Sequence, residues 1–353
     1  MPAPSSAVID QKRFDWRGAF RAGTAIPAHP LALTRDRKLD ERYQRALTRY
    51  YLAAGAGGVA VGVHTTQFQI RDPKIGLYEP VLALAAEELA NKNVIRIAGI
   101  CGGTGQAVKE AAIARDLNYH AGLVSMASLS SAPLPEQIAH VRAIGEILPV
   151  VGFYLQTAVG GSHLSAAFWH RFAQIESVVG VKVAPFDRYA TQDVMHGVAA
   201  SGRASEIALY TSNDDHIVLD LISQYQYLGE KLQFVGGLLG HWAVWTSRAV
   251  ILHRQLRQIA VSGQPISPEW FVRNDEVTDM NAALFDVALG FRGCIAGVNE
   301  VLRRQGLMST RLCLDANEDL SPGQDEELDR VCAAYPHLID DSFVAEHLDA
   351  WLS

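Results

Sequence analysis

The α/β class, and within it a closed (β/α)8 TIM barrel with a C-terminal helical extension, is the fold this sequence predicts. Strand-like and helix-like segments alternate eight times between Thr24 and Ile259. Eight units at regular spacing favour closure over an open doubly wound sheet. No linker-like stretch interrupts them before residue 260, and the 353-residue chain is 49% hydrophobic, enough for a large core.

The elements follow in order. Residues 1–22 read as a polar arm with a short helix. Thr24–Leu33 is the first strand, broken by Pro27 and Pro30, and the helix from Asp40 to Ala54 stops at Gly55-Ala56-Gly57-Gly58. Val59–Val63 precedes a helix over Glu79–Ala90, and Val94–Ile100 precedes one over Gln106–Arg115. Gly102-Gly103-Thr104-Gly105 between them reads as a tight turn; its spacing is wrong for a dinucleotide fingerprint. The remaining strands are Ala121–Ala127, Pro149–Gln156, Val178–Ala184, Ile207–Ser212 and Gln233–Leu238, each followed by a helix. Pro and Gly signals near Ser262–Pro268 then introduce helices over Glu276–Gly290, Ile295–Gln305, Glu326–Ala334 and Asp341–Leu352. The expected organisation is an arm (1–22), a barrel (23–260) and a helical extension (261–353) packed on the barrel.

The totals narrow the function. A formal charge of −7 argues against a broad nucleic-acid surface. No stretch has the length of a membrane span, and the N-terminus lacks a signal-peptide core. The four scattered cysteines lack metal or redox spacing, so a cytoplasmic location is expected.

The residue that draws attention is Lys182, inside the apolar run Val178-Val179-Gly180-Val181-Lys182-Val183-Ala184. A lysine buried in a strand is costly unless paired, or neutral and at work. It can also snorkel at the strand end. Barrels place working groups at the C-terminal ends of strands. Tyr154, 28 residues earlier on the preceding strand, is therefore a candidate neighbour, although a packed aromatic with a satisfied hydroxyl fits as well. A desolvated lysine can attack a carbonyl to form an imine, and a phenol can pass its protons. His64, Thr65 and Thr66 follow the second strand, where they suit a carboxylate, or ordinary turn chemistry. A metal between His29 and His64 lacks an acidic third ligand, so none is expected. Asp214 and Asp215 follow the seventh strand; one can cap a helix and the other can reach a substrate.

Three stretches together resemble the dihydrodipicolinate synthase / N-acetylneuraminate lyase family: Ala54-Gly55-Ala56-Gly57-Gly58-Val59-Ala60-Val61-Gly62, Leu148-Pro149-Val150-Val151-Gly152-Phe153-Tyr154, and Val179-Gly180-Val181-Lys182. The resemblance covers roughly residues 20–255. It implies a class I lyase, aldolase or synthase in which Lys182 forms a Schiff base with pyruvate or a related 2-oxo acid. It also implies Tyr154 as the catalytic phenol, no external cofactor, and a homo-oligomer (dimer or tetramer). The departures are specific. The family's Gly-Thr-Thr-Gly-Glu is replaced by Gly62-Val63-His64-Thr65-Thr66-Gln67. The tyrosine pair of its synthases is absent from Met126-Ala127-Ser128-Leu129-Ser130, and their arginine from Thr157-Ala158-Val159-Gly160-Gly161. These losses argue against the lysine-pathway synthase reaction. The alternative is a barrel that binds an oxo acid without turnover.

Overall fold

The computed structural model describes residues 14–353; the first 13 residues of the expected arm lie outside that range. Eight parallel strands form one sheet: β1 (Ala25–Pro27), β2 (Gly58–Val61), β3 (Ile95–Ile100), β4 (Ala121–Ser125), β5 (Val150–Leu155), β6 (Val178–Ala184), β7 (Ala208–Thr211) and β10 (Phe234–Leu239). Each pairs with the next, β10 pairs with β1, and an Ala28–Ala60 bridge joins β1 to β2. The sheet is thus the closed barrel that the eightfold alternation predicts. A hairpin of β8 (Tyr225–Tyr227) and β9 (Glu230–Leu232) stands apart from it. Its Leu228-Gly229 turn has φ of +53° and +83°, the left-handed pair of a two-residue hairpin. The alternation of Tyr225, Tyr227 and Leu232 around that turn was a readable signal that the sequence reading passed over.

β1 is far shorter than the expected Thr24–Leu33. Beyond Ala28 the chain leaves the sheet, because Pro30 has no N–H to give the ladder. After the eighth barrel strand, the helix expected over Glu276–Gly290 instead runs from Glu269 to Leu284. Ser267-Pro268 reads as a loop, yet proline with its fixed φ is well suited to open a helix.

The helical shell comprises α1 (Trp16–Ala22), α2 (Glu41–Ala53), α3 (Tyr78–Glu88), α4 (Thr104–Asp116), α5 (Leu134–Gly145), α6 (Ala166–Ala173), α7 (Arg188–Ala200), α8 (Ile217–Ile222) and α9 (Thr246–Ser262). After it come α10 (Glu269–Leu284), α11 (Cys294–Arg304), α12 (Gln324–Ala334) and α13 (Asp341–Leu352). Local chemistry starts several of them. The Asp40 carboxylate accepts from the Tyr43 N–H and the Asp187 carboxylate from the Ala190 N–H, as N-caps do. None of the described helices is long and apolar enough to cross a membrane.

Two cores result. One lies between sheet and helices and holds Tyr50, Trp169, Phe172 and Val183. The other fills the barrel with Ile26, Ile97, Leu123, Phe153, Tyr210 and Leu238. At the barrel floor α1 acts as a plug. The Phe20 ring stacks on Tyr210 at 4.5 Å, and the Tyr210 hydroxyl donates to the Phe20 carbonyl at 2.8 Å. Gly180 makes room for the plug, since a Cβ there would sit 2.7 Å from the Phe20 ring.

One irregularity sets the geometry of the site. At the start of the β5–β6 ladder Val150 faces Val178, 28 residues on. One step later Val151 faces Gly180, 29 residues on, because β6 carries an extra residue there. The partner of Lys182 is consequently Phe153 rather than Tyr154. Side chains alternate along a strand, so this single residue decides which aromatic shares the interior with the lysine.

Candidate active site

A cavity that opens to solvent lies at the C-terminal end of the barrel. Lys182 reaches into it from β6 and is only 5% exposed. Among the described residues its amine makes no hydrogen bond or ion pair. Its near neighbour is the Phe153 ring, with the ring centre 4.2 Å from Nζ. Burial draws the amine down from 10.5 to about 8, against an opposing pull from the Asp214 carboxylate. The lowered affinity raises the share of amine that is neutral near pH 7.

Asp214 lines the same cavity, 9% exposed, and its Oδ1 is buried without a partner. Burial pushes its carboxyl far above the ordinary carboxylate range, opposed by the Lys182 charge. The two groups titrate as a pair. One proton more on the amine is one fewer on the acid, and the pair stays neutral either way. The backbone keeps Asp214 in place, since the Asn281 side chain donates to its carbonyl at 2.7 Å. Asn213, just before it, is a fully buried tie. It accepts from the Phe186 N–H at 3.1 Å and donates to Asp220 at 2.9 Å. Asp220 in turn holds Arg188 and accepts from Thr211.

The other expected site residues separate. His64 and Thr65 line the cavity. Burial, and then the nearby Lys182 charge, lower His64 to about 4, so its ring is neutral at physiological pH. The Thr65 hydroxyl already donates to the Ala28 carbonyl at 2.9 Å. Thr66 is fully buried outside the cavity lining: its hydroxyl donates to the His29 carbonyl at 2.6 Å and accepts from the Gly62 N–H at 2.9 Å. It is a loop fastener, not a substrate contact. Asp215 is also absent from the lining, and its carbonyl accepts from Thr278 at 3.0 Å. His29 is enclosed by Pro30, Thr48 and Gln44. No group of three metal-ligating side chains is present among the described residues.

Tyr154 requires a correction. It points out of the barrel into the helical layer, where its ring packs on Trp169 at 5.4 Å. Its hydroxyl accepts from the Leu164 N–H at 3.3 Å and contacts His163 Nδ1 at 3.2 Å. The 28-residue spacing that suggested a phenol beside Lys182 overlooked the extra residue in β6. Tyr154→Phe is expected to leave chemistry at Lys182 intact and to cost stability on the order of 1 kcal/mol for the lost hydrogen bonds. Parallel melting and activity measurements check this. A large activity loss without a melting change would return the phenol to the site.

The sequence reading missed the walls. Phe153, Leu155, Gln156 and Val159 come from β5 and its loop, and Phe186 and Ser212 from the ends of β6 and β7. Phe285, Phe291 and Cys294 come from the region after residue 260. That region is fastened to the loops after β2 and β1: the Leu314 N–H donates to the Gln67 side chain at 2.6 Å, and Arg37 to the Cys313 carbonyl at 2.9 Å. The C-terminal helices therefore help to build the cavity.

These features define a class of molecule: a (β/α)8 barrel with a lone amine in the cavity at its C-terminal end. No family model matches the chain, and no curated protein sequence does. Among solved structures the chain is similar to dihydrodipicolinate synthase from Oceanobacillus iheyensis, at 16% identity and a TM-score of 0.73 over 91% of this chain and 99% of that one. It is similar to N-acetylneuraminate lyase from Fusobacterium nucleatum at 15% identity and a TM-score of 0.69, over 90% and 99%. The synthase from Bacteroides thetaiotaomicron gives 15%, 0.71, 89% and 98%. At these identities the likeness is one of fold, and the fold is that of the family named from the sequence motifs. Coverage near nine-tenths of this chain extends beyond the barrel.

Proposed function

We propose that the protein is an imine-forming lyase or aldolase acting on pyruvate or a related 2-oxo acid, with Lys182 as the nucleophile. The observation that carries this is the Lys182 amine: buried, without a bonded partner, and aimed into a cavity. A structural lysine is paired or solvated; this one is kept partly neutral by burial, the state required of a nucleophile.

In this reading the amine adds to the ketone carbon, water leaves, and an iminium forms. The cation draws electrons from the adjacent carbon, so a carbon–carbon bond there is made or broken through an enamine. No separate cofactor is required. Protons must still be moved, and Phe153, the ring beside Nζ, carries no hydroxyl. Asp214 takes that duty: its raised affinity lets it hold a proton near neutral pH and give it to the departing oxygen. The oxo-acid carboxylate is assigned to the turn that starts at His64, where His64 and Thr65 line the cavity. Ser212 and Gln156 add side chains that make no hydrogen bond among the described residues. Asp215 and Thr66 lie outside the cavity lining, and the proposed working unit is a homo-oligomer, dimer or tetramer.

A second reading is a barrel that binds an oxo acid without turnover, and Phe153 in place of a phenol favours it. Two measurements on the wild-type chain decide. Borohydride added with pyruvate should raise the mass by pyruvic acid less one oxygen atom, on Lys182. In heavy water the pyruvate methyl hydrogens should exchange through the enamine, faster than with a Lys182→Ala control that leaves only ordinary enolisation. Adduct without exchange selects the binding barrel. No adduct with pyruvate or any other 2-oxo acid removes the imine mechanism.

A further inference from the structure

Resting on the imine reading, we infer that the second carbonyl compound of this site is an aromatic aldehyde, and that it carries no carboxylate or phosphate of its own. Five of the side chains that line the cavity are apolar and bulky: Leu155, Val159, Phe186, Phe285 and Phe291. Phe186 and Phe291 approach at 5.9 Å between ring centres, tilted by 59°. A flat ring inserted beside them meets faces and edges at the offset geometry that aromatic groups favour. Both hold left-handed backbone conformations, φ +53° and +68°, which bulky residues adopt rarely. The Phe186 N–H bond to Asn213 and the Phe291 N–H bond to the Asp286 carbonyl, at 2.9 Å, keep them there. Strain of this kind persists at ligand clamps because the surroundings impose it.

Charge argues the same way. Among the described residues Lys182 is the sole lysine or arginine in the cavity wall, and its charge is committed to the iminium. Arg188, on the helix after β6, is already paired with the buried Asp220. An acceptor with its own carboxylate or phosphate would meet Asp214 and no cation. A polyhydroxylated acceptor would bring many hydrogen-bonding groups against five apolar side chains, leaving them unpaired.

The step balances without an oxidant. The enamine carbon, which was the pyruvate methyl carbon, forms a bond to the aldehyde carbon. The aldehyde oxygen takes a proton and becomes a hydroxyl, and water then releases the 4-hydroxy-4-aryl-2-oxo acid from Lys182. The reverse reaction breaks the same bond.

The wild-type chain with pyruvate is offered benzaldehyde, glyceraldehyde and succinic semialdehyde, and product is followed by mass. Benzaldehyde is expected to exceed both in kcat/KM by at least tenfold, and Phe291→Leu to narrow that lead by roughly tenfold. Equal or better use of either polar aldehyde overturns the inference, even where the pyruvate adduct upholds the imine. A second measurement holds if no imine forms. Calorimetry on the Lys182→Ala chain compares benzylidenepyruvate with 2-oxoglutarate. Tighter binding of the aryl compound supports the aromatic site, and equal or weaker binding overturns it.

Discussion

Lys182→Arg loses the borohydride adduct completely, and turnover of any aldol substrate falls by at least about 10³-fold. The substitution keeps a positive charge in the cavity but removes the nucleophile, because a guanidinium does not deprotonate at working pH. An electrostatic role for Lys182 would survive it in part, and an imine role would not. In the wild-type chain, adduct formation should rise with pH by roughly tenfold per unit and level off near the amine's pKa. Burial has brought that point down to about 8. An ordinary solvent-exposed lysine would keep gaining to beyond pH 10. Lys182→Met supplies the companion result. It removes an unpaired buried amine, so the adduct disappears while the melting temperature holds or rises. An adduct that persists in Lys182→Arg, on another lysine, defeats the assignment.

The barrel was legible because a parallel strand covered on both faces is a short β-branched run, and eight such runs separated by amphipathic helices leave few alternatives. Lys182 was legible for the same reason: a single charge within such a run is conspicuous. The partner of Lys182 was not legible. One extra residue in β6 moves the register, and in a strand a shift of one exchanges the inward for the outward side chain. Nothing in Val178-Val179-Gly180 announces it beforehand. Asp214 and Asp215 also look alike in sequence; the Asn281 bond to the Asp214 carbonyl and the Asn213 tie to Asp220 and Phe186 fix which one faces inward. The aromatic wall was beyond reach, because Phe285, Phe291 and Cys294 meet β6 only through packing of helices about 100 residues further along the chain.

Asp214→Asn separates a proton carrier from a structural carboxyl. Its Oδ1 has no hydrogen bond to lose, and the backbone is held independently by Asn281, so folding should change by less than about 1 kcal/mol. Activity should fall by about 10²-fold or more, the usual contribution of a positioned acid or base. The pH profile moves in a direction that a purely structural role does not produce. The Asp214 carboxylate raises the Lys182 affinity for its proton against the larger effect of burial. With the carboxylate gone, the amine loses its proton more readily, and the low-pH limb of amine attack shifts to lower pH. Borohydride trapping under single-turnover conditions would therefore begin at lower pH in the variant than in the wild type, while the overall rate is lower at every pH. A more available nucleophile joined to a slower reaction is the signature of a missing proton donor. An unshifted limb, or a melting loss as large as the activity loss, would assign the proton transfer elsewhere in the cavity, where the neutral His64 ring and the Cys294 thiol are the other titratable groups among the described residues.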